Sequence, residues 1–406
     1  MKLIIINNKG GFSTVLNAFL SNTKKAFDEI YVLFPKTFDI NNYRKVENVY
    51  LLKCGLWNYL RGGLNTFFDL FSKESCVDYY LAIKQKKFNF LFLKQYIKML
   101  LKANTLYYQA RFIIKKEKNI CILSMWYSDN AVAAAKIKKE FPNIMSMSYA
   151  HSYEIDFRKN KYVLLLRDRF KEQYLDKILF ISSNVMNEYI ENNRKYLKNL
   201  VKYEALHFGS EKKKNSMAKA SNDGAFRIAT CSGISKVKRL DLLIDALKLY
   251  SMNTKIIWTH MGSGELENEI RKKVEEIQDK ENIKVCFMGR VTNDKVHEYY
   301  ATQYVDLFLN ISESEGLPVS IMEAMSYGIP VLATNVGGNS EIVNENTGYL
   351  VEASISAFEL NQVLENIINN LNILQNKREN AYEKWFYEYK IDNNVKKVVD
   401  IFYERN

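Results

Sequence analysis

The chain has 406 residues, 47% hydrophobic and 26% charged, enough for two or three domains with full cores. Lys and Arg exceed Asp and Glu by twelve, and a pI near 9.1 favours anionic partners: nucleotide phosphates, nucleic acid or an anionic membrane surface. Cys54, Cys76, Cys121, Cys231 and Cys286 show no paired spacing, which argues against a zinc site and for a reducing compartment. The opening apolar run is too short for a signal peptide, and none reaches the ~20 residues of a spanning helix. The expectation is a cytoplasmic protein, soluble or peripheral on the inner face of the cell membrane.

Leu3 to Asn7 reads as a buried first strand, and Asn8-Lys9-Gly10-Gly11-Phe12-Ser13 turns it into an amphipathic helix over 14–20. Glycines in that place let a backbone approach a phosphate or sugar closely, although a Gly-Gly turn is as often only a turn. The full G-x-G-x-x-G fingerprint is absent, which disfavours a nicotinamide enzyme. Strands follow at 30–34 and 49–52. The stretch 81–120 carries ten Lys and Arg against Glu117 alone, and Lys94, Lys98 and Lys102 share one helical face opposite Phe92, Ile97 and Leu100. Such a helix fits an anionic membrane or, equally, a packed helix with a solvated lysine face. A strand at 120–124, a helix at 129–141 and a strand at 144–149 lead straight to His151, at a carboxyl end where α/β folds bind ligands. Strands at 177–182 and 202–207 complete a first domain. Residues 210–224 are charged and aperiodic and read as a linker.

Residues 226–231 open a second domain. Ser232-Gly233-Ile234-Ser235-Lys236-Val237-Lys238-Arg239 then turns into a helix, and lysines at such a turn can clamp a diphosphate. Strands at 256–260 and 285–288 continue the pattern, the latter ending on Gly289-Arg290-Val291. His207, His260 and His297 lack clustered partners and read as structural. Residues 305–310 form a buried strand, broken by Ser312-Glu313-Ser314-Glu315-Gly316-Leu317. Pro318 starts a helix that Gly328 ends, and 329–333 is the next strand. Glu315 precedes the helix and Glu323 lies inside it, eight residues on, flanking a helix start with free N–H groups. Carboxylates accept paired hydroxyls and a helix start accepts phosphate, so sugar hydroxyls beside a phosphate suit this loop. A helix over 357–371 and long helical segments over 376–406 close the chain.

Glu315-x7-Glu323, with Gly328-Ile329-Pro330-Val331 and Val336-Gly337-Gly338, resembles the signature of retaining GT-B glycosyltransferases of family GT4. The resemblance covers roughly residues 120–370, and before that only the first strand and its glycine loop. It implies an α/β GT-B fold: two Rossmann-like domains facing a central cleft, the last helix crossing back to the first. The expected boundaries are 1–209 with the helix at about 386–406, a linker at 210–224, and a nucleotide-sugar domain at 225–385. It implies that Glu315 holds donor-sugar hydroxyls, Glu323 the ribose, and His151 the sugar near its reacting carbon. Gly10 and Gly11 face the diphosphate and acceptor, Arg290 and Val291 hold the base, and Gly316, Leu317 and Pro318 line the donor. Lys238 matches the family's phosphate-binding Lys, but Gly233 stands where the family has Arg. That departure leaves the clamp to Lys238 and to Lys236 or Arg239.

No Asp-x-Asp occurs, so lysines and helix starts, rather than a metal clamp, are expected to stabilise the departing diphosphate, with no cofactor. The reading is a retaining, metal-independent transferase. It moves a sugar from a nucleotide sugar, UDP ahead of GDP, to a glycan or lipid-linked acceptor in bacterial surface polysaccharide synthesis. An anionic membrane is a candidate partner and nucleic acid is not, since no aromatic RNA-binding signature accompanies the charge. The alternatives are a non-catalytic glycosyltransferase-like partner subunit, motivated by Gly233, and a sugar-nucleotide epimerase of the same fold.

Overall fold

A computed structural model describes residues 1–7, 13–35, 46–151, 154, 167–194, 202–277 and 279–404. The chain divides into two compact units, Met1–Phe208 with Val395–Asn406, and Gly209–Asn394.

The first unit is built on a seven-stranded sheet in the order β3-β2-β1-β4-β5-β6-β7: β1 (Lys2–Ile6), β2 (Glu29–Phe34), β3 (Val49–Lys53), β4 (Ile120–Ser124), β5 (Met145–Ala150), β6 (Lys177–Phe180) and β7 (Tyr203–Ala205). Every pairing is parallel, with Ile4 opposite both Tyr31 and Ile122. Central strands of such a sheet are covered on both faces, which is why β1 and β4 read as unbroken apolar runs rather than alternating ones. The last helix, Ile391–Tyr403, ends on this unit: Phe402 lies edge-on to Phe27 at 6.0 Å, and the Tyr403 hydroxyl donates to the Ala26 carbonyl.

Between β3 and β4 come three helices, α2 (Leu56–Leu70), α3 (Lys73–Lys84) and α4 (Phe90–Ile114), after the shorter α1 (Ser13–Thr23). Ser72 caps α3 by accepting from the Ser75 N–H, and Asn89 caps α4 by accepting from the Phe92 N–H at 2.8 Å. α4 buries Phe92, Tyr96 and Leu100 with Ala82 of α3, while Lys94 and Lys98 face solvent. All five cysteines are free; Cys54 and Cys121 are buried, and Cys76 is exposed on α3.

The second unit holds a six-stranded parallel sheet in the order β10-β9-β8-β11-β12-β13: β8 (Ala225–Cys231), β9 (Lys255–Met261), β10 (Ile283–Phe287), β11 (Leu307–Asn310), β12 (Val331–Thr334) and β13 (Gly348–Val351). Ile228 and Ala229, neighbours in β8, enter separate cores. Residues 210–224, expected as a linker, are docked along this unit. Ser210 bridges to Lys390, Lys219 bridges to Tyr304, and the Ala218 N–H donates to the Tyr327 carbonyl. Their polar, aperiodic sequence follows a surface laid down by other elements and forms no repeat of its own.

Candidate functional site

In the second sheet β8 has β9 on one side and β11 on the other, so the order reverses between β8 and β11. Loops leaving the carboxyl ends of two strands diverge at such a point and open a crevice there. The loop after β8 carries Lys236 and Lys238 in a single 3-10 turn, ended by Arg239 in the left-handed region (φ 51°). The loop after β11 carries Glu315. A backbone bond from the Glu313 N–H to the Val237 carbonyl (2.9 Å) ties the two loops. Lys238 Nζ donates to Glu315 Oε1 at 2.6 Å, and Asn310 Nδ2 donates to the same oxygen at 3.2 Å. The cation and the carboxylate assigned to the donor therefore already face each other.

The Glu315 loop is shaped by Gly337 and Gly338. Gly337 has φ 55°, and a Cβ there would lie 2.0 Å from the Glu315 carbonyl oxygen. A Cβ on Gly338 would lie 2.6 Å from the Gly316 carbonyl, which instead accepts the Gly338 N–H at 2.7 Å. Two glycines are needed because two backbones pass at hydrogen-bond distance. Pro318 is the N-cap of the helix Val319–Ser326, one position before the expected place, and Gly328 follows its end with φ 69°.

Glu323 sits inside that helix in different surroundings. It is 6% exposed, and burial raises its carboxyl to about 7. Asn293 Nδ2 donates to Glu323 Oε1 at 2.6 Å. His297, set aside as structural from sequence, lies 3.8 Å away; burial lowers its imidazole to about 4, so near neutral pH this approach is no ion pair. His297 Nδ1 instead pairs with the Tyr327 hydroxyl at 3.0 Å.

The other expected donor contacts divide. Arg290 is exposed after Gly289 (φ 67°), and Val291 packs against the core. Gly316 and Leu317 are half-buried beside the glycine pair. Lys236 is exposed. Arg239 is committed elsewhere, donating to the Ala353 and Ile355 carbonyls, and is removed as a substitute in the phosphate clamp. Gly233 is open: a Cβ there would meet only the Ser263 carbonyl, at 3.7 Å, so no crowding demands glycine. Asn293 and Asn310 orient the two carboxylates and are unmarked in the sequence; Asn293 is thirty residues from Glu323 and carries no motif.

In the first unit the order reverses between β1 and β4. Asn7 directly follows β1 and accepts from Trp126 Nε1 (3.1 Å) beyond β4; the Trp126 ring stacks on His151 at 4.3 Å. His151 Nε2 lies 3.0 Å from the Met125 carbonyl oxygen. His151 thus stands at the carboxyl end of this sheet's strands, directly after β5. Gly10 and Gly11 lie outside the described residues. No cluster of three metal-ligating side chains occurs among the described residues.

Two parallel α/β units of this Rossmann-like kind define the GT-B class, and solved structures of that class match the whole chain. An Anabaena protein, HepE, crystallised with UDP, covers 100% of both chains with a TM-score of 0.71 at 14% identity. An apo lipopolysaccharide outer core galactosyltransferase, WaaB, covers 100% of both at 0.67 and 14%. At such identity the likeness establishes the fold alone. Residues 211–384 match the family model of glycosyl transferases group 1, and the second unit belongs to that family. An uncharacterized glycosyltransferase of Methanocaldococcus jannaschii is 27% identical over 62% of this chain and 65% of its own length. The N-acetyl-alpha-D-glucosaminyl L-malate synthase of Bacillus anthracis is 26% identical over 43% and 44%. The chain thus spans between less than half and about two-thirds of the length of these curated relatives.

Proposed function

We propose that the protein is a retaining glycosyltransferase. It moves a sugar from a nucleotide diphosphate sugar, UDP ahead of GDP, to a glycan or lipid-linked acceptor in bacterial surface polysaccharide synthesis. The observation that carries this reading is the Lys238–Glu315 pair, 2.6 Å apart across the point where the group 1 unit's strand order reverses. In this reading the donor diphosphate takes Lys238 from Glu315, and Glu315 turns to the sugar hydroxyls. Glu323 accepts the ribose, and the backbone at Arg290 and Val291 holds the base. His151 is assigned to the donor sugar. As the bond from the sugar's C1 to the phosphate oxygen breaks, Lys238 and the N–H groups opening the helix Val319–Ser326 stabilise the departing charge. The acceptor oxygen bonds to C1 on the same face and passes its proton to the leaving phosphate. The HepE crystals with UDP and with UDP-glucose support the choice of base.

A screen of UDP- and GDP-sugars by thermal shift, followed by a transfer assay, tests this. Stabilisation by UDP-sugars and sugar transfer to a lipid-linked acceptor are expected. Binding without hydrolysis or transfer would favour the non-catalytic reading, for which the open Gly233 is the supporting observation. Conversion of the donor without any acceptor would favour an epimerase. Lys238→Ala is expected to weaken UDP more than Lys236→Ala; the reverse order in calorimetry would move the clamp to Lys236.

A further inference from the structure

Helix α2 is packed the wrong way round for a helix that meets only water. Toward α4 it turns Gly62 and Thr66, with a Gly62 Cβ only 2.7 Å from Thr105 Oγ1, and a polar seam in which Asn104 donates to Thr66 and Asp69. Outward it turns Leu56, Trp57, Leu60, Leu64, Phe68 and Phe71, each 55–74% exposed. At 3.6 residues per turn these six positions fall within an arc of roughly 120°. Phe67 lies edge-on to Phe68 and Phe71, at 5.8 and 5.5 Å, and joins them into one apolar surface. A contiguous exposed face of this kind marks an interaction site.

The surrounding charge says what meets it. Residues 53–118 hold thirteen Lys and Arg against four Asp and Glu, a surplus of nine of the chain's twelve. Those four acids are already engaged: Asp69 with Lys136, Glu74 with Lys139, Glu117 with Lys2, and Asp78 buried under the Tyr96 hydroxyl. At the amino-terminal end of the stripe, Trp57 and Arg61 also line a cavity of about 710 Å³ that holds Lys53 and Lys116. Its one carboxylate, Glu117, is neutralised by Lys2 at 2.6 Å.

We propose that α2 lies in the interfacial layer of an anionic lipid membrane, its aromatic face among the acyl chains and Arg61, Lys53 and Lys116 on headgroup phosphates. The arrangement of apolar face and flanking cations is that of an in-plane helix. Fifteen residues make a rod of about 22 Å, too short to cross a bilayer, and no described helix is long and apolar enough to do so. A second copy would bring its own cation surplus against this one, so charge selects lipid. The inference does not rest on the donor chemistry, and its test reads binding alone.

The intact protein is floated with vesicles of phosphatidylglycerol and phosphatidylcholine, and with phosphatidylcholine alone. Flotation with the anionic vesicles at low salt is expected, at least about tenfold stronger than with neutral ones. Brominated acyl chains should quench a tryptophan signal that Trp57→Phe removes. Leu64→Glu with Phe68→Glu should abolish flotation at unchanged melting temperature, because both side chains are exposed, and Arg61→Glu should weaken it about tenfold. Absence of anionic flotation overturns the proposal. So does wild-type flotation of the double variant, which would give the binding to lysines alone. A dimer in sedimentation that the double variant disperses would overturn it in favour of a second copy.

Discussion

Two helices carry the functional readings, and they break the inside–outside rule in opposite senses. The helix Val319–Ser326 buries six consecutive residues, Ile321 to Ser326, and takes the Glu323 carboxyl with them. α2 buries little more than a glycine and a threonine and leaves its largest apolar side chains outside. Scattered exposed leucines need no explanation, whereas a buried acid and a continuous exposed aromatic face do. Each arrangement is unfavourable in the isolated protein, and each proposal supplies a partner that offsets it: hydroxyls for the acid, acyl chains for the aromatic face.

The contrast predicts that the two regions tolerate change very differently. The largest effect is expected at Gly337→Ala, where the added Cβ meets backbone at 2.0 Å and the left-handed φ is strained as well. A loss of more than about 3 kcal/mol in denaturant unfolding is expected, with loss of nucleotide binding. Wild-type stability in that variant would mean the Glu315 loop is not held by this contact.

Next comes pH. The Glu323 carboxyl is raised in the folded protein from 4.5 to about 7, so between those values the folded state holds the extra proton. Stability therefore falls as pH rises through this window, by about 3 kcal/mol from this one group, and is lowest once Glu323 is ionised. Glu323→Gln should flatten that portion of the curve and melt above wild type at pH 8; an unchanged slope would place the titration elsewhere. Because the ionised carboxylate is the better acceptor for ribose hydroxyls, nucleotide binding near pH 7 should release protons, read by calorimetry in buffers of different ionisation enthalpy.

Smaller effects separate the two acids. Hydrogen bonds to a charged group are worth roughly 1.5–3 kcal/mol. Glu323→Gln is thus expected to weaken free nucleotide diphosphate ten- to a hundredfold. Glu315→Gln should leave the free nucleotide nearly unchanged and depress turnover, because its sugar partner is absent. Equal losses in calorimetry would give both acids one nucleotide contact. The smallest effect is expected at Phe68→Ala, whose melting should stay within about 0.5 kcal/mol of wild type. A larger loss would show that the face is packed rather than presented.

How much of this was legible follows from where the information sits. Parallel strands buried on both faces are apolar runs, so β1, β4 and β11 stand out, and the glutamate spacing with its glycines marks the loop proposed to take the donor. The environments of the two acids are not legible, because Asn293, His297 and Lys238 arrive from other elements. Nor can a helical wheel say which side of α2 faces out. Its apolar arc looks like a core face; only the close approach of Gly62 to Thr105 and the Thr66–Asn104–Asp69 seam reverse that reading. The lysine run of α4 is plain in the sequence; that α2 presents its apolar arc outward is not.

The cysteine distribution has a practical consequence. Burial pushes the Cys54 thiol up to about 12 and the Cys121 thiol higher still, and Cys231 is likewise raised to about 12. Thiolate, the reactive species, is scarce at all three near neutral pH. Cys76 is exposed on α3, the helix that follows α2 in the chain. Cys286 is only partly exposed, so a maleimide dye should couple first at Cys76, placing an environment-sensitive reporter on the unmutated protein.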